Sequence, residues 1–168
     1  MGKQAYRYKS SNELIRHINN SGFNIIKSER WYIRSQFKRI KRTIEFIYNS
    51  NIPVENILDA GCGRGLLFLM LGRTGTGLDA PHIVETCRQR GIDAYPVNLE
   101  QEKFPLPDCS FDIVTCLEVI EHFTSPGLML LEIRRVLKKG GFIVLSTPNS
   151  KSLHWRLADF LWKNPVWP

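Results

Sequence analysis

Long apolar runs are missing from this 168-residue chain. No stretch approaches the ~20 residues that a bilayer-spanning helix requires. The N-terminus lacks the apolar stretch of a signal peptide. It opens Met-Gly, but position 6 is Tyr rather than Ser or Thr, which argues against myristoylation. Cysteine is sparse. Cys62, Cys87, Cys109 and Cys116 contain no Cys-x-x-Cys pair, which excludes a zinc knuckle or thioredoxin-like motif. At this length a disulfide scaffold is not expected, so the reading is a reducing cytoplasm. Acidic residues are scarce at one end. Residues 1–50 carry 11 Lys/Arg against three Glu, a charge of +8, whereas the remainder sums to −1. A basic segment beside a neutral body attracts anionic substrates, nucleic acid or acidic lipid. The bland alternative is a solvated helix face.

The 43% hydrophobic and 23% charged composition describes a globular domain large enough to bury a core. Three segments follow from the patterning. Residues 1–50 are a basic helical segment, in which Ile33, Phe37, Ile40, Ile44 and Ile47 recur at helical spacing and form one face. The helix starts near Ser28 and Glu29 and stops before Pro53. A shorter helix covers 13–19 and breaks at Ser21-Gly22. Residues 51–150 alternate short apolar strands with helices. The strands are expected at 56–60, 75–79, 93–97, 111–117 and 142–147, and the helices from 66, over 81–90 and over 125–139, the last stopped by Gly140-Gly141. Residues 104–110, with two prolines, are a loop. Residues 151–168 form an aromatic tail with a helix over 152–163, carrying Trp155, Phe160, Trp162 and Trp167. Strand–helix alternation predicts an α/β domain with a mainly parallel sheet between two helical layers.

The most informative stretch is Asp59-Ala60-Gly61-Cys62-Gly63-Arg64-Gly65, placed after the first strand and before a helix. Glycines there allow a tight turn and close approach of a ligand to the backbone, and N–H groups at a helix start favour an anionic group. The spacing is Gly-x-Gly-x-Gly, with Leu66 where a dinucleotide fingerprint has its third glycine. Asp79 lies twenty residues beyond Asp59 at the end of the second strand, where a carboxylate accepts hydrogen bonds from ribose hydroxyls. The chemistry points to a ribonucleoside with a charged tail.

The sequence resembles the class I S-adenosylmethionine-dependent methyltransferases, in particular the ubiquinone- and menaquinone-pathway group. The resemblance rests on Asn-Ile-Leu-Asp-Ala-Gly-Cys-Gly-Arg-Gly (56–65), Gly-Leu-Asp (77–79), Phe-Pro-Leu-Pro-Asp-Cys-Ser-Phe-Asp-Ile-Val (104–114), Glu-Val-Ile-Glu-His (118–122), Leu-Lys-Lys-Gly-Gly (137–141) and Ser-Thr-Pro-Asn (146–149), in family order and spacing. It implies a Rossmann-like three-layer αβα sandwich that binds S-adenosyl-L-methionine. By the same resemblance Asp59, Gly61, Gly63 and Gly65 hold the methionine part of the cofactor, and Cys62 counts among the cofactor-binding residues. Asp79 takes the ribose with Ala80 beside the adenine, Asn98 and Leu99 border the adenine, and Cys116 and Leu117 line the methyl-donor end. Many relatives have Asp where this chain has Asn98.

The expected reaction is methyl transfer by in-line displacement to a small-molecule acceptor, at oxygen. The protein aligns the acceptor and excludes water. His122 is the expected base, with Glu121 beside it. Placed on one helical turn, Glu118, Glu121 and His122 face the same way and form a candidate mixed oxygen/nitrogen metal set, although the expectation is that no metal is bound. The competing function is nucleic-acid methylation, favoured by the basic helix but without a recognised RNA-binding module. A catalytically inactive cofactor-binding scaffold is a further alternative. The five expected strands stop near Thr147, so the C-terminal antiparallel hairpin usual in this class is missing. That leaves a sheet edge open to homodimer formation. The tail aromatics suit an acceptor lid, a subunit contact, a peripheral membrane patch or simple cover for the sheet.

Overall fold

The computed structural model describes residues 8–20, 27–50 and 54–149. Two helices lead: α1 (Ser11–Asn20) and α2 (Lys27–Asn49). The sheet domain follows as β1 (Ile57–Ala60), α3 (Leu66–Leu71), β2 (Thr76–Asp79), α4 (Pro81–Gln89), β3 (Asp93–Pro96), β4 (Phe111–Leu117), a 3-10 turn (Ile120–His122), α5 (Gly127–Val136) and β5 (Leu137–Ser146). The expected tail helix and the four tail aromatics lie outside the described residues, as does the break at Ser21-Gly22.

The strand order is β3-β2-β1-β4-β5, and every pairing is parallel. The winding direction reverses between β1 and β4, which is where open parallel sheets bind ligands. Alternate residues of β1 serve the two faces. Ile57 joins a core with α1, α2, α3 and α4, whereas Leu58 and Ala60 join the core closed by Met129, Ile133 and Val136 of α5. This is the expected three-layer arrangement. The apolar stripe of α2 is real: Ile33, Phe37, Ile40, Ile44 and Ile47 are all buried. Each side chain of that size contributes about 1.5–3 kcal/mol when removed from water.

The loop at 104–110 is held by a buried carboxylate. Glu132 of α5 accepts the backbone N–H of Phe104 at 2.9 Å and pairs with Arg135 at 2.6 Å. Arg135 in turn donates to the carbonyls of Phe104 and Leu106. The loop carries two prolines, which deprive it of backbone donors, so these side chains supply its anchoring.

The expected helix over 125–139 ends early. Leu137 takes extended geometry (φ −68°, ψ 135°) and begins β5 by pairing with Phe111; the next register pair is Ile113 with Phe142. The residues between form an irregularity inside β5, and Gly140-Gly141 serves that irregularity rather than a helix stop. Gly140 sits at φ +83°, and a side chain on Gly141 would lie 2.8 Å from the carbonyl oxygen of Asp112. The bulge lets the backbone close on β4, which helix termination alone would not require. Among the described residues, β5 is an edge strand on which Ile143 and Leu145 are exposed.

Candidate active site

The site begins where β1 runs out. The N–H groups of Gly61 and Cys62 both donate to the carbonyl of Leu78, at 2.8 and 3.0 Å, hooking the turn over the end of β2. The N–H of Gly63 donates to Oδ2 of Asp79 at 2.7 Å, and the N–H of Ala80 donates to Oδ1 at 2.7 Å. Both carboxylate oxygens are thus aimed by backbone groups, and each retains further acceptor capacity. Gly61 and Gly63 have φ of +83° and +53°, a region that costs other residues about 1–2 kcal/mol. A Cβ on Gly61 would come within 2.2 Å of Val119 Cγ2, and one on Gly63 within 2.9 Å of the Tyr32 hydroxyl. A side chain at either position would be strained and would have to displace its neighbour.

Above this turn opens a cleft of about 870 Å³, bounded by the C-terminal ends of β1, β2 and β4. Gly61, Gly63, Asp79, Ala80, Asn98 and Leu99 line one part of it. Leu117, Glu118, Glu121 and His122 line another. The side-chain oxygen of Asn98 accepts the N–H of Glu100 at 3.1 Å, so the amide is oriented by its own loop.

The remaining expected cofactor residues stand behind the cleft wall. Asp59 is buried and accepts a hydrogen bond from Thr115 Oγ1 at 2.7 Å. Burial pushes its carboxyl pKa up to about 7; the Thr115 hydrogen bond opposes the rise and the nearby Asp79 charge adds to it. Cys62 and Cys116 are buried. Gly65 precedes α3 at φ +70°, and a Cβ there would meet Ile92 Cδ1 at 2.0 Å, so its bareness serves packing against the segment after α4. These four residues shape the turn from beneath.

Glu118, Glu121 and His122 do not share one helical turn. Glu118 lies before the 3-10 turn at φ +58°, a left-handed conformation rare for a side-chain-bearing residue. Its backbone N–H donates to the Ser146 carbonyl at 2.9 Å, its Oε1 accepts from Ser146 Oγ at 3.1 Å, and its Oε2 pairs with Arg39 at 3.0 Å. This network over-determines the strained backbone and ties α2 to the ends of β4 and β5. It also commits the carboxylate elsewhere. Among the described residues, no group of three His, Cys, Asp or Glu side chains is close enough to hold a metal ion. Glu121 and His122 are exposed at the cleft rim.

Sequence reasoning missed the contribution of α2. Tyr32 and Gln36, one helical turn apart, line the cleft, and Gln36 accepts from Arg39. The Tyr32 hydroxyl has a raised pKa, first from burial and then from the charges of Asp59 and Asp79. A polar pair adjoining the Ile33–Phe37 stripe was the only local signal. Val97, Glu102, Phe123 and Pro148 also reach the cleft, through loops with no motif of their own.

A nucleoside cofactor fits this cavity. Its floor is side-chain-free backbone, an aimed carboxylate stands at its edge, and Val97 and Leu99 supply apolar wall. The arrangement defines a Rossmann-like cofactor-binding domain of the class I methyltransferase type. Residues 58–145 match the methyltransferase domain family. The chain belongs to that family, whose cofactor is S-adenosyl-L-methionine.

Over 111 residues the chain is 36% identical to a ubiquinone biosynthesis O-methyltransferase of Xanthomonas oryzae pv. oryzae, covering 61% of this chain and 46% of that protein. A protein of the same description from Hydrogenovibrio crunogenus is 29% identical over 171 residues, covering 94% of this chain and 70% of the other. The chain therefore spans about half the length of the Xanthomonas relatives. Among solved structures, a Thermotoga maritima S-adenosylmethionine-dependent methyltransferase, described as a possible histamine N-methyltransferase, superposes with a TM-score of 0.65. It is 22% identical, with 92% of this chain and 70% of that chain covered. That likeness concerns the fold alone.

Proposed function

We propose that the protein transfers a methyl group from S-adenosylmethionine to an oxygen of a small-molecule acceptor. The observation that carries the reading is the Asp79 carboxylate, set at the cleft edge by the N–H of Gly63. In this reading Asp79 accepts the two ribose hydroxyls, the turn at Gly61 and Gly63 passes beneath the methionine part, and Ala80, Asn98 and Leu99 enclose the adenine. The cofactor supplies a methyl carbon already activated by its sulfonium. What remains for the protein is to hold the acceptor oxygen in line and keep water out. Leu117 and Phe123 border the cleft with apolar surface suited to the second task. His122, at the rim, takes the acceptor proton, and Glu121 stands beside it at the same rim.

The O-methyltransferase descriptions of the relatives support oxygen as the acceptor atom. No described helix is long and apolar enough to cross a membrane. All four cysteines are free thiols, which suits the reducing cytoplasm in which we place the reaction.

Titration calorimetry with S-adenosylhomocysteine, comparing wild type with Asp79→Ala, tests the proposal. The expected result is clear binding by wild type and a loss of about 1–3 kcal/mol in the variant. Equal affinities would remove the basis for the assigned pocket.

A further inference from the structure

Beneath the glycine turn lie two thiols to which the proposed reaction gives no part. Cys62 Sγ and Cys87 Sγ are 3.6 Å apart, and both side chains are buried. Their positions are built. A Cβ on Gly77 would come within 2.7 Å of Cys62 Sγ, so the sulfur occupies a niche that exists because β2 carries glycine there. Cys87 of α4 donates its S–H to the carbonyl of Gly63 at 3.0 Å. Gly63 is the residue whose N–H aims Asp79. The thiol pair, the turn and the ribose-binding carboxylate are therefore one connected set.

We propose that Cys62 and Cys87 form a reversible disulfide that weakens cofactor binding. A disulfide requires a sulfur separation of about 2.05 Å, so closure draws the sulfurs together by roughly 1.5 Å and consumes the S–H that Cys87 gives to Gly63. The Gly63 carbonyl loses the hydrogen bond from Cys87 and moves with Cys62. The Asp79 carboxylate then loses its alignment. The effect on binding rests on the cofactor reading above; the disulfide itself does not.

The oxidant is hydrogen peroxide. Cys87 sulfur attacks the peroxide oxygen, the O–O bond breaks, and water leaves to give a sulfenic acid on Cys87. Cys62 sulfur then attacks the Cys87 sulfur, forming S–S and releasing a second water. The two thiols lose two electrons in total, and the peroxide gains them. The hydrogen bond between the two sulfurs, followed by burial, raises the pKa of Cys62, while the same hydrogen bond lowers that of Cys87. Cys87 is accordingly the first nucleophile and Cys62 the resolving thiol. Peroxide reaches the pair by local opening of the turn from the cleft, where Gly63 is part of the wall. Bound cofactor closes that route, and by reciprocity the disulfide and the cofactor oppose each other.

The test uses the full chain carrying Cys109→Ser, which removes the one exposed thiol. Protein is treated with hydrogen peroxide, digested without reductant and analysed by mass spectrometry, and S-adenosylhomocysteine affinity is measured by calorimetry before and after. The expected result is a linked Cys62–Cys87 peptide and affinity lower by about tenfold or more, restored by dithiothreitol. Saturating S-adenosylhomocysteine should slow formation of the linked peptide. In Cys87→Ser, whose hydroxyl still donates to Gly63, peroxide should leave affinity unchanged. Absence of the linked peptide, or a linked protein that binds within about twofold of the reduced form, overturns the inference. Failure of the reduced protein to bind S-adenosylhomocysteine instead overturns the cofactor reading and leaves disulfide formation to be judged by the peptide alone.

Discussion

Gly63 and Asp79, sixteen positions apart, are joined by a 2.7 Å hydrogen bond from the glycine N–H to the aspartate Oδ2. The bond couples the turn after β1 to the end of β2, and the Ala80 N–H completes the alignment from the other side. Asp79→Asn should therefore be costly despite its matched size. The amide oxygen satisfies only one of the two N–H groups, and the NH₂ faces the other. The expected loss in S-adenosylhomocysteine affinity is about 2 kcal/mol, read by calorimetry. Affinity unchanged from wild type would show that carboxylate charge is not needed there.

Gly61 offers a separable test of sterics and strain. Gly61→Ala introduces a methyl 2.2 Å from Val119 Cγ2 at a φ of +83°. Urea denaturation should show a loss of about 2 kcal/mol or more, combining the left-handed backbone with overpacking. Adding Val119→Ala removes the clash but not the strain. The double variant should therefore recover cofactor affinity relative to Gly61→Ala while remaining less stable than wild type. Strict additivity of the two single effects would argue against the contact.

Asp59 makes stability depend on pH in a direction unusual for an aspartate. Its folded pKa, raised by burial to about 7, lies above the ordinary aspartate value of 3.8. Below pH 3.8 the group is protonated in both states and contributes no penalty. Between that value and about 7 the folded state holds a proton that the unfolded state has released, so stability falls as pH rises. Above about 7 the loss is complete, on the order of 4 kcal/mol. Asp59→Asn keeps an acceptor for Thr115 and cannot titrate. Urea midpoints of the ligand-free proteins at pH 5 and 8 should show a smaller drop in the variant than in wild type. Parallel pH profiles would show that Asp59 ionises without penalty.

His122 is the proposed base and stands at the exposed rim, so its removal should leave the fold intact. His122→Ala is expected to lower kcat by ~10²–10⁴-fold with little change in S-adenosylhomocysteine affinity. A parallel loss of cofactor binding would reassign His122 to shaping the pocket, and an unchanged kcat would exclude it as the base.

Local signals carried much of the architecture. The Ile33, Phe37, Ile40, Ile44 and Ile47 stripe, the glycines ending β1 and the apolar run of β4 each state their structure within a few residues, because helical and strand periodicities are short-range properties of the chain. The end of α5 was not legible in that way. Leu137 has helical spacing to Ile133, yet its pairing with Phe111 draws it into β5. Cross-strand hydrogen bonding with a partner twenty-six residues away outweighs a weak local preference.

The sequence by itself determined that a glycine turn follows the first strand, that Asp79 closes the second, and which family the chain resembles, since these depend on residue type at fixed spacing. Only the tertiary structure decided which of those residues face the cleft. Asp59, Cys62 and Cys116 are close in sequence to lining residues but point into the core, because successive side chains on a strand and its turn serve opposite sides. Tyr32 and Gln36 lie far away in sequence and reach the cleft because α2 packs against α3 and carries them over the turn. Burial, and with it the raised pKa of Asp59 and the meeting of Cys62 with Cys87, arises from the packing of distant elements, which a linear pattern does not encode.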